Sequence, residues 1–217
     1  MMNSAAVFDE RAEAYDNWYD IPRGRAIFDA ELACLRCANP DYGGRWLEVG
    51  VGTGRFAEAL GIEAGLDPAP NMLAKAVSRH ITIQAGRAES LPYRTGSFDG
   101  VLMAFTLCFV DDAQEAVVEC ARVLKADKGQ LVLGMVPADS PWGRQYRREA
   151  EAGHPFYSRA RFYTVDEGIA LAGGAGLKLE KICSSLFGGP ESAPEALADC
   201  REGRFADAGF AALAFSA

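Results

Sequence analysis

Trp46-Leu47-Glu48-Val49-Gly50-Val51-Gly52-Thr53-Gly54-Arg55-Phe56 is a short apolar run that breaks into three glycines at every second position. It reads as a strand, a tight loop and a helix start. Glycine reaches positive φ and carries no Cβ, so Gly50, Gly52 and Gly54 let the backbone turn sharply and let a ligand lie against its amides.

Downstream of this loop, strands and helices alternate. Strands are expected at 46–49, 62–66, 81–84, 98–105 and 130–136, with helices at 53–60, from Pro70, and from Asp112 to Leu124. Pro70 suits a first helical turn, and Met72, Leu73, Ala76 and Val77 supply that helix's apolar face. The mostly apolar run 98–105 suits a central parallel strand, buried on both sides. Asp112 followed by Glu115 resembles a cap, with Ala113, Ala116, Val117, Cys120 and Leu124 turned inward. Five strands with short helical crossovers imply a doubly wound parallel sheet, whose ligand sits beyond the carboxyl ends of the strands. After the fifth strand, residues 137–163 form a polar and aromatic stretch without a regular pattern, too long for a simple connection and so a candidate for substrate contact. Thr164-x-x-Glu167 is a capping box opening a helix that stops at Gly173-Gly174. Residues 177–187 and 209–216 read as two closing antiparallel strands, joined by a loop rich in Pro, Gly and charge.

Upstream, residues 4–20 read as one helix whose Phe8, Ala12, Tyr15 and Tyr19 share a face, with Trp18 beside them. Packing against the domain and covering a ligand on the sheet edge both fit that aromatic face. A second helix follows at 25–38 and ends in the loop Asn39 to Gly44. Cys34-x-x-Cys37 falls on the same stripe as Ile27 and Ala30, which is the pattern of a buried face. With no second Cys or His pair at ligand spacing, no metal site is expected. The six cysteines are read as free thiols of a reducing compartment.

The composition narrows the setting. A chain of 217 residues, 49% hydrophobic, is one ordinary domain with a sizeable core. Its net charge of −8 argues against a nucleic-acid surface and favours a small-molecule partner. No apolar run reaches the roughly 20 residues that span a bilayer, and the acidic N-terminus lacks the basic start of a signal peptide, so a cytoplasmic protein is expected.

The identity of the ligand follows by elimination and then by resemblance. A dinucleotide fingerprint starting at Gly50 requires glycine at position 55, where Arg55 stands, and no Gly-Lys-Ser or Gly-Lys-Thr follows the loop. What remains is Glu-x-Gly-x-Gly-x-Gly with Asp67 at the end of the next strand, an acid able to accept both hydroxyls of a ribose. The carboxylate of Glu48 would repel a pyrophosphate but suits an ammonium or sulfonium.

These residues resemble the class I methyltransferases that use S-adenosylmethionine, and among them the small-molecule branch called type 11. Residues 47–54 look like the first motif of that family and 65–73 like its second. Gly86-Arg87-Ala88-Glu89-Ser90-Leu91-Pro92-Tyr93, Ser97-Phe98-Asp99 and Glu119-Cys120-Ala121-Arg122-Val123-Leu124-Lys125 follow at the usual intervals.

The resemblance implies an α/β, Rossmann-like sheet of seven strands, five parallel plus a C-terminal antiparallel hairpin. It also implies a single methyltransferase domain over 1–217, with residues 1–40 as a helical cap and 137–163 as an inserted substrate-side segment. By the same resemblance, Gly50, Gly52 and Gly54 lie under the methionine portion, Glu48 orients it, Asp67 takes the ribose hydroxyls, and Pro68 and Met72 pack on the adenine. Arg87 stands where many relatives have aspartate, so the adenine's amino edge passes to Ala88 or Glu89. Phe105 stands near the methyl-bearing sulfur.

The implied reaction is methyl transfer from S-adenosylmethionine to a small acceptor at N, O, C or S, leaving S-adenosylhomocysteine. A non-catalytic binding protein on the same fold and a nicotinamide oxidoreductase stay open as alternatives. Should the acceptor have to lose a proton, His154, Tyr157 and Tyr15 are candidate bases. Tyr15, Trp18 and Tyr19 are lid candidates, and Arg159 and Arg161 could bind an acidic acceptor. The acceptor, its methylated atom and the oligomeric state have no signature in the sequence.

Overall fold

A computed structural model describes residues 4–193, 197 and 199–217. The chain forms α1 (Ser4–Glu10), α2 (Ala12–Trp18), α3 (Pro22–Ala38), β1 (Trp46–Val49), α4 (Arg55–Leu60), β2 (Ala64–Asp67), α5 (Pro70–Ser78), β3 (Thr82–Ala85) and β4 (Gly100–Ala104). There follow α6 (Ala113–Val123), β5 (Gln130–Met135), α7 (Pro141–Glu151), a 3₁₀ turn at Tyr157–Arg159, α8 (Val165–Gly174), β6 (Lys178–Ser185), β7 (Cys200–Glu202) and β8 (Phe210–Ser216).

The strands lie in one sheet in the order β3-β2-β1-β4-β5-β8-β6-β7. The first five are parallel, while β8 pairs antiparallel with both β5 and β6. The order reverses between β1 and β4, and the carboxyl ends there form the crevice in which doubly wound sheets bind ligands. The period of two along β1 sends Trp46 and Glu48 to one face and Leu47 and Val49 to the other. Both faces are covered: Trp46, Leu102, Val132 and Phe210 pack with Ile27 and Leu35 of α3, and Leu47, Val101, Leu131 and Leu213 pack with Val117 and Cys120 of α6. Each such side chain, fully buried, contributes roughly 1.5–3 kcal/mol.

Local chemistry sets the helix starts. Asp112 Oδ1 accepts from Glu115 N–H at 3.0 Å. The Thr164–Glu167 box closes in both directions, Glu167 N–H to Thr164 Oγ1 at 3.2 Å and Thr164 N–H to Glu167 Oε2 at 2.7 Å. The inward set Ala113, Ala116, Val117, Cys120 and Leu124 is buried, as are Met72, Leu73 and Ala76, whereas Val77 is 52% exposed and belongs to the solvent side of α5.

Several expectations are corrected. The first helix is two, broken at Arg11, and the bend lets Asp9 accept from Asn71 N–H at the start of α5 while Asp16 reaches Arg55 and Arg79. The stretch 137–163 is not irregular throughout. Ser140 caps α7 by accepting from Gly143 N–H at 2.9 Å, and Pro141 fills the first turn, a Ser-Pro start signal present in the sequence. Among the described residues the sheet has eight strands rather than seven, because the linking loop carries the short β7; residues 194–196 and 198 of that loop, and residues 1–3 of the N-terminal segment, lie outside the described residues. The cysteines are not all free thiols. Cys34 sits in the core with Ile27 and Ala30 as its stripe requires, but Cys37, one turn on at the edge of that stripe, bonds to Cys183 of β6. Cys34, Cys108, Cys120 and Cys200 remain reduced. Among the described residues no His, Cys, Asp and Glu cluster could hold a metal, and no helix is long and apolar enough to cross a membrane.

Candidate active site

A cavity of ≈ 400 Å³ opens over the carboxyl ends of β1, β2, β4 and β5, within the range of small-molecule sites. Its floor is the glycine loop. Gly50 has φ +75° and faces Thr106, whose Oγ1 would stand 2.1 Å from any Cβ there. That threonine donates to Val49 O at 2.9 Å, so the loop is pinned to the end of β4. Gly52, at φ +52°, has nothing within 4 Å of the Cβ direction, and this is where a ligand can approach the backbone. Gly54 does not line the cavity: it starts α4 at φ +84° and packs against Ala76, so its part is to make the turn.

Asp67 ends β2 and lines the cavity. Its Oδ2 accepts from Gly52 N–H at 3.0 Å and its Oδ1 from Ala69 N–H at 2.8 Å. These bonds hold Oδ2 against the glycine loop and Oδ1 against the turn into α5, and leave a lone pair on each. Burial raises its pKa to about 6, against the two backbone bonds that favour the carboxylate.

Glu48 is 2% exposed and accepts a hydrogen bond from the Ala57 backbone, while its Oε2 has no partner. Burial raises its pKa well above the carboxylate range. A cavity of ≈ 30 Å³ lies against Glu48, Gly50, Gly52, Tyr15 and Phe105. An orphaned buried carboxylate oxygen costs about 1–3 kcal/mol or more, and a cationic group beside the glycine loop would satisfy it.

Of the other expected cofactor contacts, Pro68, Met72, Ala88, Glu89 and Phe105 all line the main cavity. Met72 is also core, packed with Ala12 and Ala69. Glu89 is partly committed: its Oε1 accepts from Asp111 N–H at 2.8 Å and faces Arg87. Phe105 holds φ +60°, a conformation costly for a side chain with a Cβ. Its amide donates to Gly134 O at 2.8 Å and its ring lies between Phe56 and Phe210.

The roof comes from the termini of other elements. Tyr15, Trp18 and Tyr19 line the cavity, Tyr15 and Tyr19 with hydroxyls 3.1 Å apart. Tyr146, His154, Phe156 and Tyr157 close it from α7 and the segment after it. Phe8 ties the two sides together through Phe109 and Phe156, both at 4.8 Å.

Arg159 and Arg161 are exposed and outside the cavity; Arg161 lies over the ring of Tyr163, so neither is placed to hold an acidic acceptor. The three candidate bases line the cavity, but their surroundings argue against the role. Burial raises the Tyr15 phenol and pushes Tyr157 up to about 12, which keeps both protonated at neutral pH. His154 Nδ1 accepts from Tyr157 N–H at 3.3 Å, so that nitrogen's lone pair is already engaged by the backbone.

Two positions that shape or line the cavity carry no motif in the sequence. Arg55, noticed only for what it is not, clamps the roof to α4 through Asp16 Oδ1 at 2.7 Å and Asp20 Oδ2 at 2.9 Å. Arg79 adds a bond to Asp16 Oδ2 at 3.0 Å. Glu31 lines the cavity from α3 and is 5% exposed. Its signal is a glutamate four residues after Ile27 and four before Leu35, in line with the buried stripe.

The fold and the site together define a class I methyltransferase: glycine loop after β1, acid after β2, a cavity at the switch point, and an antiparallel closure of the sheet. Comparison with known proteins gives the same class. A type 11 methyltransferase-domain family model matches residues 47–133. A Thermotoga maritima S-adenosylmethionine-dependent methyltransferase, described as a possible histamine N-methyltransferase, is 34% identical with a TM-score of 0.89, covering 99% of each chain. An uncharacterized protein of Mycobacterium tuberculosis is 39% identical over 212 residues, 98% of this chain and 74% of its own. A ubiquinone/menaquinone biosynthesis C-methyltransferase of Rhizobium johnstonii is 34% identical over 62% of this chain and 59% of its own. The chain belongs to the S-adenosylmethionine-dependent methyltransferases, of the type 11 kind.

Proposed function

We propose that the chain transfers the methyl group of S-adenosylmethionine to a small acceptor held in the ≈ 400 Å³ cavity. The observation that carries this is the pairing of two buried acids with one glycine loop: Asp67 turned toward Gly52, and Glu48 with an oxygen that lacks a partner. A ribose diol suits the first and the ammonium of a methionine moiety the second. Gly50 and Gly52 lie under the methionine portion, Pro68 and Met72 pack on the adenine, Ala88 and the free oxygen of Glu89 meet its edge, and Phe105 stands near the sulfur. Residues 1–40 act as the cap of a single domain, and 137–163 as its substrate side.

When bound, S-adenosylmethionine supplies a methyl group already activated by the sulfonium charge. The protein's share is placement and exclusion of water by the aromatic roof. Holding two reactants in line is worth up to about 7–11 kcal/mol. The net charge of −8 and the cavity lined by aromatic rings favour a metabolite over a nucleic acid. A cytoplasmic setting fits such an acceptor, although the Cys37–Cys183 bond runs against a reducing one.

Calorimetry with S-adenosylmethionine and S-adenosylhomocysteine tests the reading. Binding of both is expected; a folded protein that takes up neither at millimolar concentration would refute it.

A further inference from the structure

Glu31 is a buried acid without a function in the cofactor half of the site. It is carried on α3 between Ile27 and Leu35, both core residues. Among the described residues nothing donates a hydrogen bond or pairs a charge to its carboxyl group, and burial alone acts on it, raising its pKa well above the usual carboxylate range until a cation pairs with it. It is not sealed inside protein, since it lines the main cavity. Four tyrosines, Tyr15, Tyr19, Tyr146 and Tyr157, line the same cavity. Tyr146 stacks on Tyr157 at 4.2 Å and the hydroxyls of Tyr15 and Tyr19 lie 3.1 Å apart, so the tyrosines pair with one another and none donates to Glu31.

A lone carboxylate among aromatic rings is unfavourable until a cation arrives. Water-poor surroundings make the ion pair strong, and the rings attract the same charge through their faces. Four acids, Glu31, Asp67, Glu89 and Asp111, line this cavity against two arginines, of which Arg87 is tied to Asp111 and Glu89 and Arg11 is exposed at the break between α1 and α2, so the lining as a whole favours a cation.

We propose that the acceptor is a primary or secondary amine, which enters as its ammonium ion and is held by Glu31 within the tyrosine faces. This rests on the methyl-transfer reading of the site. Glu31 is then a catalytic residue, touching the nucleophile. An ammonium nitrogen has no free electron pair, so one N–H bond must break first. The proton forms an O–H bond on the Glu31 carboxylate, and the electron pair stays on nitrogen. Neutral amine and carboxylic acid result, with no other reactant needed.

The test uses the full chain and matched probes: methylamine, butylamine and benzylamine against methanol, butanol and benzyl alcohol, titrated by calorimetry with and without saturating S-adenosylhomocysteine. At least one amine should bind about tenfold tighter than its alcohol, and the Glu31→Gln variant should lose that preference while its affinity for S-adenosylhomocysteine stays within twofold of wild type. No amine preference with any pair overturns the proposal, as does a preference that survives in Glu31→Gln. Weakened S-adenosylhomocysteine binding by that variant also overturns it, for Glu31 would then serve the methyl donor. Failure of S-adenosylhomocysteine to bind the wild type would instead strike the methyl-transfer reading, with the amine arm still readable alone. Thermal midpoints of both proteins, expected to agree or to favour the variant, separate a binding effect from misfolding.

Discussion

With Asp67 in its proposed place beneath the ribose, one titration couples the fold to the ligand. Burial raises its folded pKa from 3.8 to about 6, so protonation is easier in the folded than in the unfolded chain. Its contribution to stability is therefore fully present below pH 3.8 and is lost as pH rises through about 6. Cofactor binding runs the opposite way, because a carboxylate accepts from two hydroxyls more readily than a carboxylic acid. Affinity for S-adenosylhomocysteine should fall as pH drops from 7 to 5, with a midpoint near 6. Asp67→Asn removes the charge and one of two accepting oxygens; it should weaken binding by about 10- to 100-fold, the range of one charge-assisted hydrogen bond, and flatten the pH dependence. Calorimetry across pH 5–8 on both proteins checks this, and equal affinities at pH 7 would remove Asp67 from the site. The convergence of the glycine loop and its two acids on one end of the sheet was legible because it is local. Glu48, Gly50, Gly52 and Asp67 lie within twenty residues, on one strand-loop-helix-strand unit whose glycines and acids announce themselves by spacing. Glu31 and Tyr146 reach the same cavity from distant helices, and only packing brings them there.

The N-terminal helices show how a roof is held without being part of the sheet. Asp16 is 7% exposed and receives Arg55 and Arg79 together. Burial pushes its pKa up, but the hydrogen bonds from the two arginines outweigh that and hold the carboxyl below its usual range. Phe8 and Tyr15, on either side of the break at Arg11, meet at 5.7 Å and both pack against Phe156. The aromatic face read from the sequence is therefore real, but a single straight helix was the wrong frame for it. The break has no glycine or proline to mark it, since it follows from anchors at Asn71 and Arg55 that lie far along the chain. Replacing Asp16 with alanine removes one acceptor from each of two guanidinium groups, which keep Asp20 and Glu58, and should cost roughly 1–3 kcal/mol of stability. If the roof covers the cofactor, the variant should also release S-adenosylhomocysteine faster while binding it at a similar rate. Stopped-flow displacement measures this; an unchanged dissociation rate would make α2 a packing element only.

Strand patterns gave the parallel half of the molecule, where period-two burial and short crossovers leave little freedom; the closing antiparallel edge was less legible. β7 is three residues long, too short to carry a period, and the Cys37–Cys183 bond joins positions 146 residues apart, beyond anything that spacing can show. That bond fixes α3, which precedes every strand, to β6 near the other end of the chain. The loop it closes takes in β1 to β5, so the constraint falls on most of the unfolded chain and hardly on the native site. Breaking it should lower stability by about 2–4 kcal/mol. Neither cysteine lines the cavity, and affinity for S-adenosylhomocysteine should stay as it was. Alkylation of the denatured protein should label the four free cysteines before reduction and all six after it. Urea unfolding of the wild type with and without reductant, and of Cys183→Ser, then gives the energetic effect, with the variant expected to match the reduced wild type. Six labels without reductant, or a midpoint indifferent to reductant, would mean that α3 is held to the sheet by packing alone.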